Sequence, residues 1–308
     1  MIEGANKLSV SVVMCTYNGA TYLRQQLDSL VAQTYPLHEL LIFDDVSSDG
    51  TAEILREYEA RFDFIEVVVN RTNLGFTANF EQAVMAATGD MIAISDQDDV
   101  WMPNKIERML EAWDRRSPLI YCVSLLFSKK IPANPRPHAV FQHFEGTDAR
   151  RIFLRNTISG HTMMFTREFL KLVLPFPRNS IYYDWWMGVV AAYNGGVQHL
   201  REVLVMQRVH GRNISIDSPE MTVKQSRLSY KEKVINHCEQ FTKAPSIPER
   251  DRAFAEELGR LEKESLNKSF HFPLFMFLLK NSPIVFGYKR KKFPYISYIK
   301  HSYLRTVN

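Results

Sequence analysis

Three carboxylates stand within four residues at Asp96, Asp98 and Asp99, inside a stretch, residues 89–103, that reads GDMIAISDQDDVWMP. Acids this close repel one another, and burying them without partners is expensive. A hard divalent cation, Mg2+ or Mn2+, itself bound to substrate phosphates, neutralises them most simply. A helix N-terminus decorated with acids accounts for the same spacing with no ligand at all. A second acidic pair, Asp44-Asp45, precedes the turn Ser47-Ser48-Asp49-Gly50.

The elements that must position these acids are legible in the hydropathy pattern. Residues 91–95 form an apolar strand that runs straight into Asp96, and a helix is expected from Pro103, where proline suits the first turn. Residues 8–14 (LSVSVVM) are β-branched and read as a strand, followed by a loop, Cys15 to Gly19. Leu23, Leu27, Leu30 and Val31 then recur at helical spacing. Residues 39–45 (ELLIFDD) form a second strand ending on acids, and 64–69 a third. Helices follow with Ile54, Leu55 and Tyr58 on one face, then with Phe76, Phe80, Ala83, Val84 and Ala87, then with Ile106, Met109, Leu110 and Trp113. Residues 119–127 close the alternation as a fifth strand. Strands alternating with helices predict an α/β fold with a mostly parallel central sheet and helices on both faces. Both acidic strand ends would then meet at the carboxyl edge, where such sheets bind ligands.

Beyond Phe127 the pattern loosens. Residues 129–146 are rich in proline and histidine and read as a loop; 150–156 suit a short helix. Ser159-Gly160-His161 leads into a strand over 162–166, and Tyr182 to Trp186 opens an apolar helix that stops at Gly195-Gly196. Residues 197–200 and 203–209 are expected as two paired strands, and the periodicity from Met221 onward is helical.

The chain has 308 residues, 45% of them hydrophobic, which suits one catalytic domain with an appendage. Net charge is +4, unevenly spread: residues 265–308 hold eight Lys and Arg and no Asp or Glu, leaving 30 basic and 34 acidic residues in 1–264. With the excess of positive charge confined to the tail, nucleic acid is not expected as a partner. No apolar run approaches the ~20 residues that span a bilayer; the longest, 272–279, meets Lys280 at once. The first residues carry no signal-peptide pattern, and Cys15, Cys122 and Cys238 lack ligand-like clustering. The expectation is a cytoplasmic protein with reduced thiols, peripheral on the inner face of the cell membrane through the basic, aromatic segment 265–308.

Four ordered motifs resemble the family 2 glycosyltransferases, inverting enzymes of the GT-A fold. Residues 12–18 (VVMCTYN) resemble the opening strand and nucleotide loop, and 44–51 (DDVSSDGT) the second motif. Arg71-Thr72-Asn73-Leu74-Gly75 followed by Asn79 resembles the third, and Asp96-Gln97-Asp98 the metal-binding D-x-D. The similarity covers about residues 8–210. The strings at 95–103 (SDQDDVWMP) and Asp184-Trp185-Trp186 resemble a bacterial rhamnosyltransferase-like subgroup. The resemblance implies a catalytic domain over 1–215, with a nucleotide half at 8–127 and an acceptor half at 128–215, and a helical, basic C-terminal extension over 216–308.

It also implies roles. Asp98 is the first-choice metal ligand, with Asp96 helping directly or through water. Asp45 would accept from a pyrimidine N–H or a ribose hydroxyl, and Tyr17 would stack on the base. Thr16, Asn18, Arg71, Asn73, Asn79 and Asp96 would complete the nucleotide site. An inverting enzyme needs a general base for the acceptor hydroxyl. By resemblance this is Asp184, although Tyr183 stands where the family often has Glu, and an aspartate there is also an ordinary helix N-cap. His210, in Gln207-Arg208-Val209-His210, resembles a late histidine that would be a third metal ligand or, with Arg208, a diphosphate contact. Asp99, Trp101, Ser159 and Gly160 are expected near the sugar or acceptor. Trp185 and Trp186 either stack on a sugar or belong to the core.

The implied donor is a pyrimidine nucleotide sugar, dTDP-rhamnose first and a UDP-hexose or UDP-N-acetylhexosamine next. The acceptor would be a glycan or lipid-linked glycan of bacterial surface polysaccharide such as O-antigen. Two rivals stand beside this. A nucleotidyltransferase also uses paired acids and Mg2+, but it usually needs a glycine-rich phosphate loop, which Cys15 to Gly19 is not. A non-catalytic sugar-nucleotide-binding protein would have lost acids that are intact here at Asp45, Asp96, Asp98 and Asp184.

Overall fold

The chain's structure, a computed structural model, describes residues 7–128, 130–132, 135–136, 142–178, 182–211, 222–287 and 294–307. The cationic run Lys289-Arg290-Lys291-Lys292 lies outside them, as does part of the expected 129–146 loop.

Strand β1 (Val10–Thr16) sits parallel between β2 (Glu39–Asp44) and β4 (Met91–Ser95), with β3 (Ile65–Val69) parallel on the far side of β2. Parallel neighbours need crossovers. These are α1 (Ala20–Val31), α2 (Thr51–Glu59) and α3 (Phe76–Ala86). Leu23, Leu27 and Leu30 of α1 pack with Val10, Val12 and Met14 of β1 and with Leu40 and Ile42 of β2 in one buried cluster. Fully burying each such side chain contributes about 1.5–3 kcal/mol, so the 3.6-residue pattern of α1 is what fastens it to the sheet.

The other half of the sheet departs from the expected pattern. Its order is β3-β2-β1-β4-β7-β6-β8-β5, eight strands among the described residues, with β5 (Val100–Trp101), β6 (Leu119–Phe127), β7 (Met163–Thr166) and β8 (Val197–Arg208). β7 runs antiparallel to both β4 and β6, and β5 runs antiparallel to β8. The sheet is therefore mixed rather than simply parallel. Residues 197–209 do not form two paired strands. They are one twelve-residue strand, parallel to β6, whose extra residues are taken up by irregular register between Tyr121 and Ser124. Helix α4 (Lys105–Ala112) begins after β5, two residues later than the sequence suggested.

The chain divides into two compact units. The first comprises Met1–Pro137, Ser159–Tyr183 and Val197–Val209 and contains all eight strands; the second comprises His138–Ile158, Asp184–Gly196 and His210–Asn308. Short helices α5 (Arg150–Phe153) and α6 (Leu170–Val173) precede α7 (Tyr183–Tyr193). The C-terminal part is helical: α8 (Val223–Phe241), α9 (Glu249–Ser265), α10 (Phe272–Lys280), α11 (Ser282–Val285) and α12 (Pro294–Thr306). α8 starts on a reciprocal capping box, in which Thr222 Oγ1 accepts the Gln225 N–H and the Gln225 side chain accepts the Thr222 N–H. Within the second unit Phe153 stacks on Phe241 at 5.1 Å, Trp185 lies 4.4 Å from the His237 ring, and Leu258, Leu261, Leu274 and Leu278 are buried.

Candidate functional site

The parallel strands β1 to β4 end together. Thr16 stands opposite Asp44, Asp44 opposite Val69, and Met14 opposite Ser95. The loops that follow, 17–19, 45–50, 70–75 and 96–99, therefore leave from one edge of the sheet.

Asp44 organises the first two loops. Its buried carboxylate accepts from the Thr16 hydroxyl at 2.7 Å, the Ser47 N–H at 2.9 Å and the Ser47 hydroxyl at 2.6 Å. These bonds hold Val46 at φ 65°, a left-handed conformation costly for a β-branched residue. Asn18, at φ 49°, donates its N–H to Ser47 Oγ at 2.8 Å and accepts the Ser48 N–H at 2.8 Å. Tyr17 is 53% exposed at the rim. Its backbone is gripped by Gln97, which accepts the Tyr17 N–H at 3.0 Å and donates to the Tyr17 carbonyl at 3.2 Å. Gln97 lies so close to Gly19 that a Cβ there would stand 2.1 Å from Oε1.

Asp45 does something other than point an open carboxylate outward. Its Oδ1 accepts from the Asn70 amide and the Leu74 N–H, and its Oδ2 from the Gly75 N–H, all at 2.8 Å. The Asn73 amide donates to the Asp45 carbonyl at 3.0 Å. Asn79 is buried, donates to the Phe43 carbonyl at 2.9 Å and accepts from Asn70 at 2.9 Å. Asp45, Asn73 and Asn79 thus lace the 70–75 loop to the end of β2, while Arg71 is exposed.

The antiparallel strands complete the acidic loop. Because β7 runs against β4, with Ala93 opposite Met164, the turn Gly160–Thr162 ahead of β7 arrives at the carboxyl end of β4. Gly160 is required there, since a Cβ would meet Tyr183 Oη at 2.6 Å. The turn delivers buried His161, whose Nδ1 lies 3.3 Å from Asp96 Oδ2 and 4.0 Å from Asp99 Oδ2. Val100 pairs with Met206 in antiparallel register, so Arg208 falls opposite Asp98. Its N–H donates to Asp99 Oδ1 at 3.1 Å and its Nε to the Asp98 carbonyl at 2.9 Å. The guanidinium lies over the Tyr22 ring at 4.6 Å and the Phe127 ring at 4.5 Å, and also donates to Gln25. Arg208 is buried and braces the acidic loop.

Burial, then the neighbouring Asp96 and Asp98 charges, push the Asp99 carboxyl up to about 7 against the pull of His161. Burial alone would lower the His161 pKa; the Asp99 and Asp96 carboxylates outweigh it and raise it. Beneath them Lys105 is fully buried, donates to the His161 carbonyl at 2.9 Å and lies over the Trp101 ring. Burial brings its pKa down to about 7.

Among the described residues Asp96, Asp99 and His161 form a group able to hold a metal ion, with ligand atoms within 4.8 Å of one another. Asp99 Oδ2 is buried and makes no hydrogen bond, a cost that a cation shared with Asp96 and His161 Nδ1 would relieve. Two carboxylates and an imidazole are a donor set that Mn2+ accepts. The residues fit such an ion. His161 was not picked out from sequence as a site residue, and neither were Gln97 and Lys105. The only local signal for His161 was a polar residue between a Ser-Gly turn and an apolar strand.

Trp101, expected near the sugar or acceptor, is 2% exposed and packs in the core of the first unit. Ser159 accepts at its carbonyl from the Thr162 hydroxyl and N–H, closing the turn that carries His161.

In the second unit Asp184 lies in the first turn of α7, partly buried, and its Oδ1 accepts from the Asn156 amide at 3.2 Å. Asn156 is itself fixed by donating to the Ile158 carbonyl at 2.7 Å and accepting the Ile158 N–H at 2.9 Å. Trp185 and Trp186 are both buried, and the Trp185 indole donates to the Ile152 carbonyl at 2.6 Å; of their two expected places they take the core. His210 is partly exposed and belongs to the second unit, whereas Asp96 and Asp98 belong to the first.

Comparison with known proteins bears on this arrangement. Residues 1–349 of S. aureus TarS, solved with UDP-GlcNAc, superpose with a TM-score of 0.59 at 17% identity over 97% of this chain and 82% of that one. The mannosyltransferase PcManGT of Pyrobaculum calidifontis, solved with GDP-Man and Mn2+, gives 0.58 at 17% identity over 97% and 86%. At these identities the likeness is one of fold, a GT-A-like α/β architecture. An uncharacterized protein of Mycobacterium tuberculosis is 29% identical over 212 residues, 67% of this chain and 60% of that protein. TuaG of Bacillus subtilis, a glycosyltransferase assigned to teichuronic acid biosynthesis, is 35% identical over 162 residues, 52% of this chain and 62% of TuaG. The chain thus spans about 60% of the length of these curated relatives. Residues 11–174, more than half of the sequence and all of the strand-end loops described above, match the model "Glycosyl transferase family 2", and the chain belongs to that family.

Proposed function

We propose that the protein is a metal-dependent inverting glycosyltransferase that moves a sugar from a pyrimidine nucleotide-diphosphate donor to a glycan or lipid-linked glycan. The observation that carries the reading is the buried Asp99 Oδ2, without a hydrogen bond, beside Asp96 and His161 at the edge where four parallel strands end. A divalent cation there, Mn2+ or Mg2+, would supply neutralisation of the charge that builds on the departing diphosphate. Asp96 belongs both to the Asp96–Asp99–His161 group and to the set expected from sequence, Asp98, Asp96 and His210. Asp98, whose backbone carbonyl accepts from Arg208 Nε, is assigned to the same metal and donor site.

The chain's own residues then have separable duties. Tyr17, half-exposed on a backbone clamped by Gln97, offers a face for the base. Thr16, Asp45, Asn73 and Asn79 hold the loops that border it, with Asn18 and Arg71 at their surface. Asp184, oriented by the Asn156 amide, takes the proton from the acceptor hydroxyl as that oxygen attacks the anomeric carbon. Residues 1–215 would carry the transfer and 216–308 its location at the inner face of the cell membrane.

For the donor, dTDP-rhamnose is the first choice, on the strings at 95–103 and 184–186. UDP-GlcNAc, held by TarS, makes a UDP-N-acetylhexosamine the second. The test is product analysis with each nucleotide sugar, Mn2+ and a glycan acceptor. Release of free nucleoside diphosphate with inversion supports transfer. Pyrophosphate release would make the protein a nucleotidyltransferase, and metal-dependent binding without turnover a sugar-nucleotide-binding protein. Undiminished activity in excess chelator would remove the metal from the scheme, and a wide preference for a UDP-sugar would remove rhamnose.

A further inference from the structure

Helix α12 in the second unit is inside out, and α10 is apolar on its outer as well as its inner face. A surface helix ordinarily buries its apolar stripe and shows its polar one. α12 buries Ser302 and Thr306 and turns Arg305 inward, where its Nε donates to the fully buried Glu262 at 2.8 Å. Its outer face carries Tyr295, Ile299 and Tyr303 at successive turns with Ile296 beside them, exposed to 81, 52, 52 and 70%. α10 buries Leu274 and Leu278 and exposes Phe272 and Met276.

The two exposed faces are continuous. The Tyr303 ring lies 5.9 Å from Phe270, Phe270 lies 5.9 Å from Phe275, and Phe275 lies 6.5 Å from Phe272. Phe270 is also bridged through its backbone to Val307, which ties the start of this surface to the end of α12. A connected apolar and aromatic surface of this kind marks an interaction site.

Charge decides the partner. Lys268, Lys280 and Lys300 are exposed around this surface, and residues 265–308 contain no Asp or Glu. A second copy docked through this same segment would set these cations against like charges with no acid in the segment to answer them. An anionic lipid surface answers them with phosphates and takes the aromatic and aliphatic groups into the boundary between headgroups and acyl chains. No helix among the described residues is long and apolar enough to cross a bilayer, so contact would be made in the plane of the surface. We infer that the joined outer faces of α10 and α12 dock on anionic phospholipid bilayers, with Ile296 and Ile299 inserted and Lys280 and Lys300 on phosphates. This rests on the membrane location proposed above for 216–308 and names the surface that makes it, and it is tested independently of sugar transfer.

The experiment is sedimentation of the full chain with phosphatidylglycerol vesicles and, separately, phosphatidylcholine vesicles over a range of salt. Binding to the anionic vesicles at low salt, fading as salt rises, is expected. The exposed pair Ile296→Ser with Ile299→Ser should lower partitioning about tenfold or more. Lys280→Gln with Lys300→Gln should do the same and flatten the salt dependence. Both pairs should leave the melting temperature unchanged, since neither touches a buried contact. The inference is overturned if the protein stays in the supernatant at low salt. It is equally overturned if binding ignores both pairs, or if the isoleucine pair instead abolishes a concentration-dependent dimer, which would assign the face to a second copy.

Discussion

His161 Nδ1 lies 3.3 Å from Asp96 Oδ2, a pairing made by a turn ahead of an antiparallel strand and a loop after a parallel one. The imidazole is positioned to orient the carboxylate, to share a cation with it, or both. Either duty ties His161 to metal affinity. His161→Gln should weaken Mn2+ binding by roughly ten- to a hundredfold, the range typical of residues that orient ligands, while far-UV circular dichroism stays native. Mn2+ titration followed by electron paramagnetic resonance checks it; an unchanged affinity would leave His161 a core residue only.

Asp184 accepts from the Asn156 amide at 3.2 Å, and the proposed reaction assigns it the role of general base. Asp184→Asn keeps the shape and the Asn156 contact region but removes the proton acceptor. Transfer should fall by at least about a hundredfold, with donor and metal binding retained in thermal-shift titrations. Near-native turnover at saturating acceptor would reassign the base.

Gly19 and Gln97 are predicted to be energetically coupled. Gly19→Ala would drive a methyl into Gln97 and break its two bonds to the Tyr17 backbone. Losing them should cost about 1–2 kcal/mol. In a Gln97→Ala background the obstacle is gone and Gly19→Ala should be nearly neutral. Denaturant unfolding of the four proteins of the cycle measures the non-additivity; strict additivity would refute the contact.

His237 gives the second unit a pH dependence. Burial against Trp185 and Phe241 lowers its pKa from 6.5 to about 4. Between those values the unfolded chain binds a proton that the folded chain does not, so stability must fall as pH drops through this window and is fully regained above it. The contribution is on the order of 3 kcal/mol at most. His237→Gln should flatten the slope of unfolding free energy between about pH 6.5 and 4, read from urea titrations at successive pH values. A slope equal to that of the native chain would place the acid sensitivity elsewhere.

Sequence by itself determined the parallel half of the sheet and the acids at its edge. Residues 10–16, 39–44 and 91–95 are apolar enough to be buried on both faces, and Leu23, Leu27 and Leu30 repeat at helical spacing. Local periodicity therefore specifies parallel strands with covering helices. Acids directly after such strands must reach the carboxyl edge, because a strand has only two ends. Direction beyond β4 is a different kind of fact. Nothing in residues 163–166 or 100–101 says whether a short strand will run with its neighbour or against it, since both arrangements bury the same side chains. That choice brings His161 to Asp96 and Arg208 to Asp98; had β7 run parallel, His161 would have reached the opposite edge. Trp101, Trp185 and Trp186 make the same point from the side of burial. An indole suits a sugar face and a core equally well, and only the packing around it decides. The outward turn of Ile296, Ile299 and Tyr303 was likewise decided by packing, because α12 spends its inner face on Ser302, Thr306 and the Arg305–Glu262 pair.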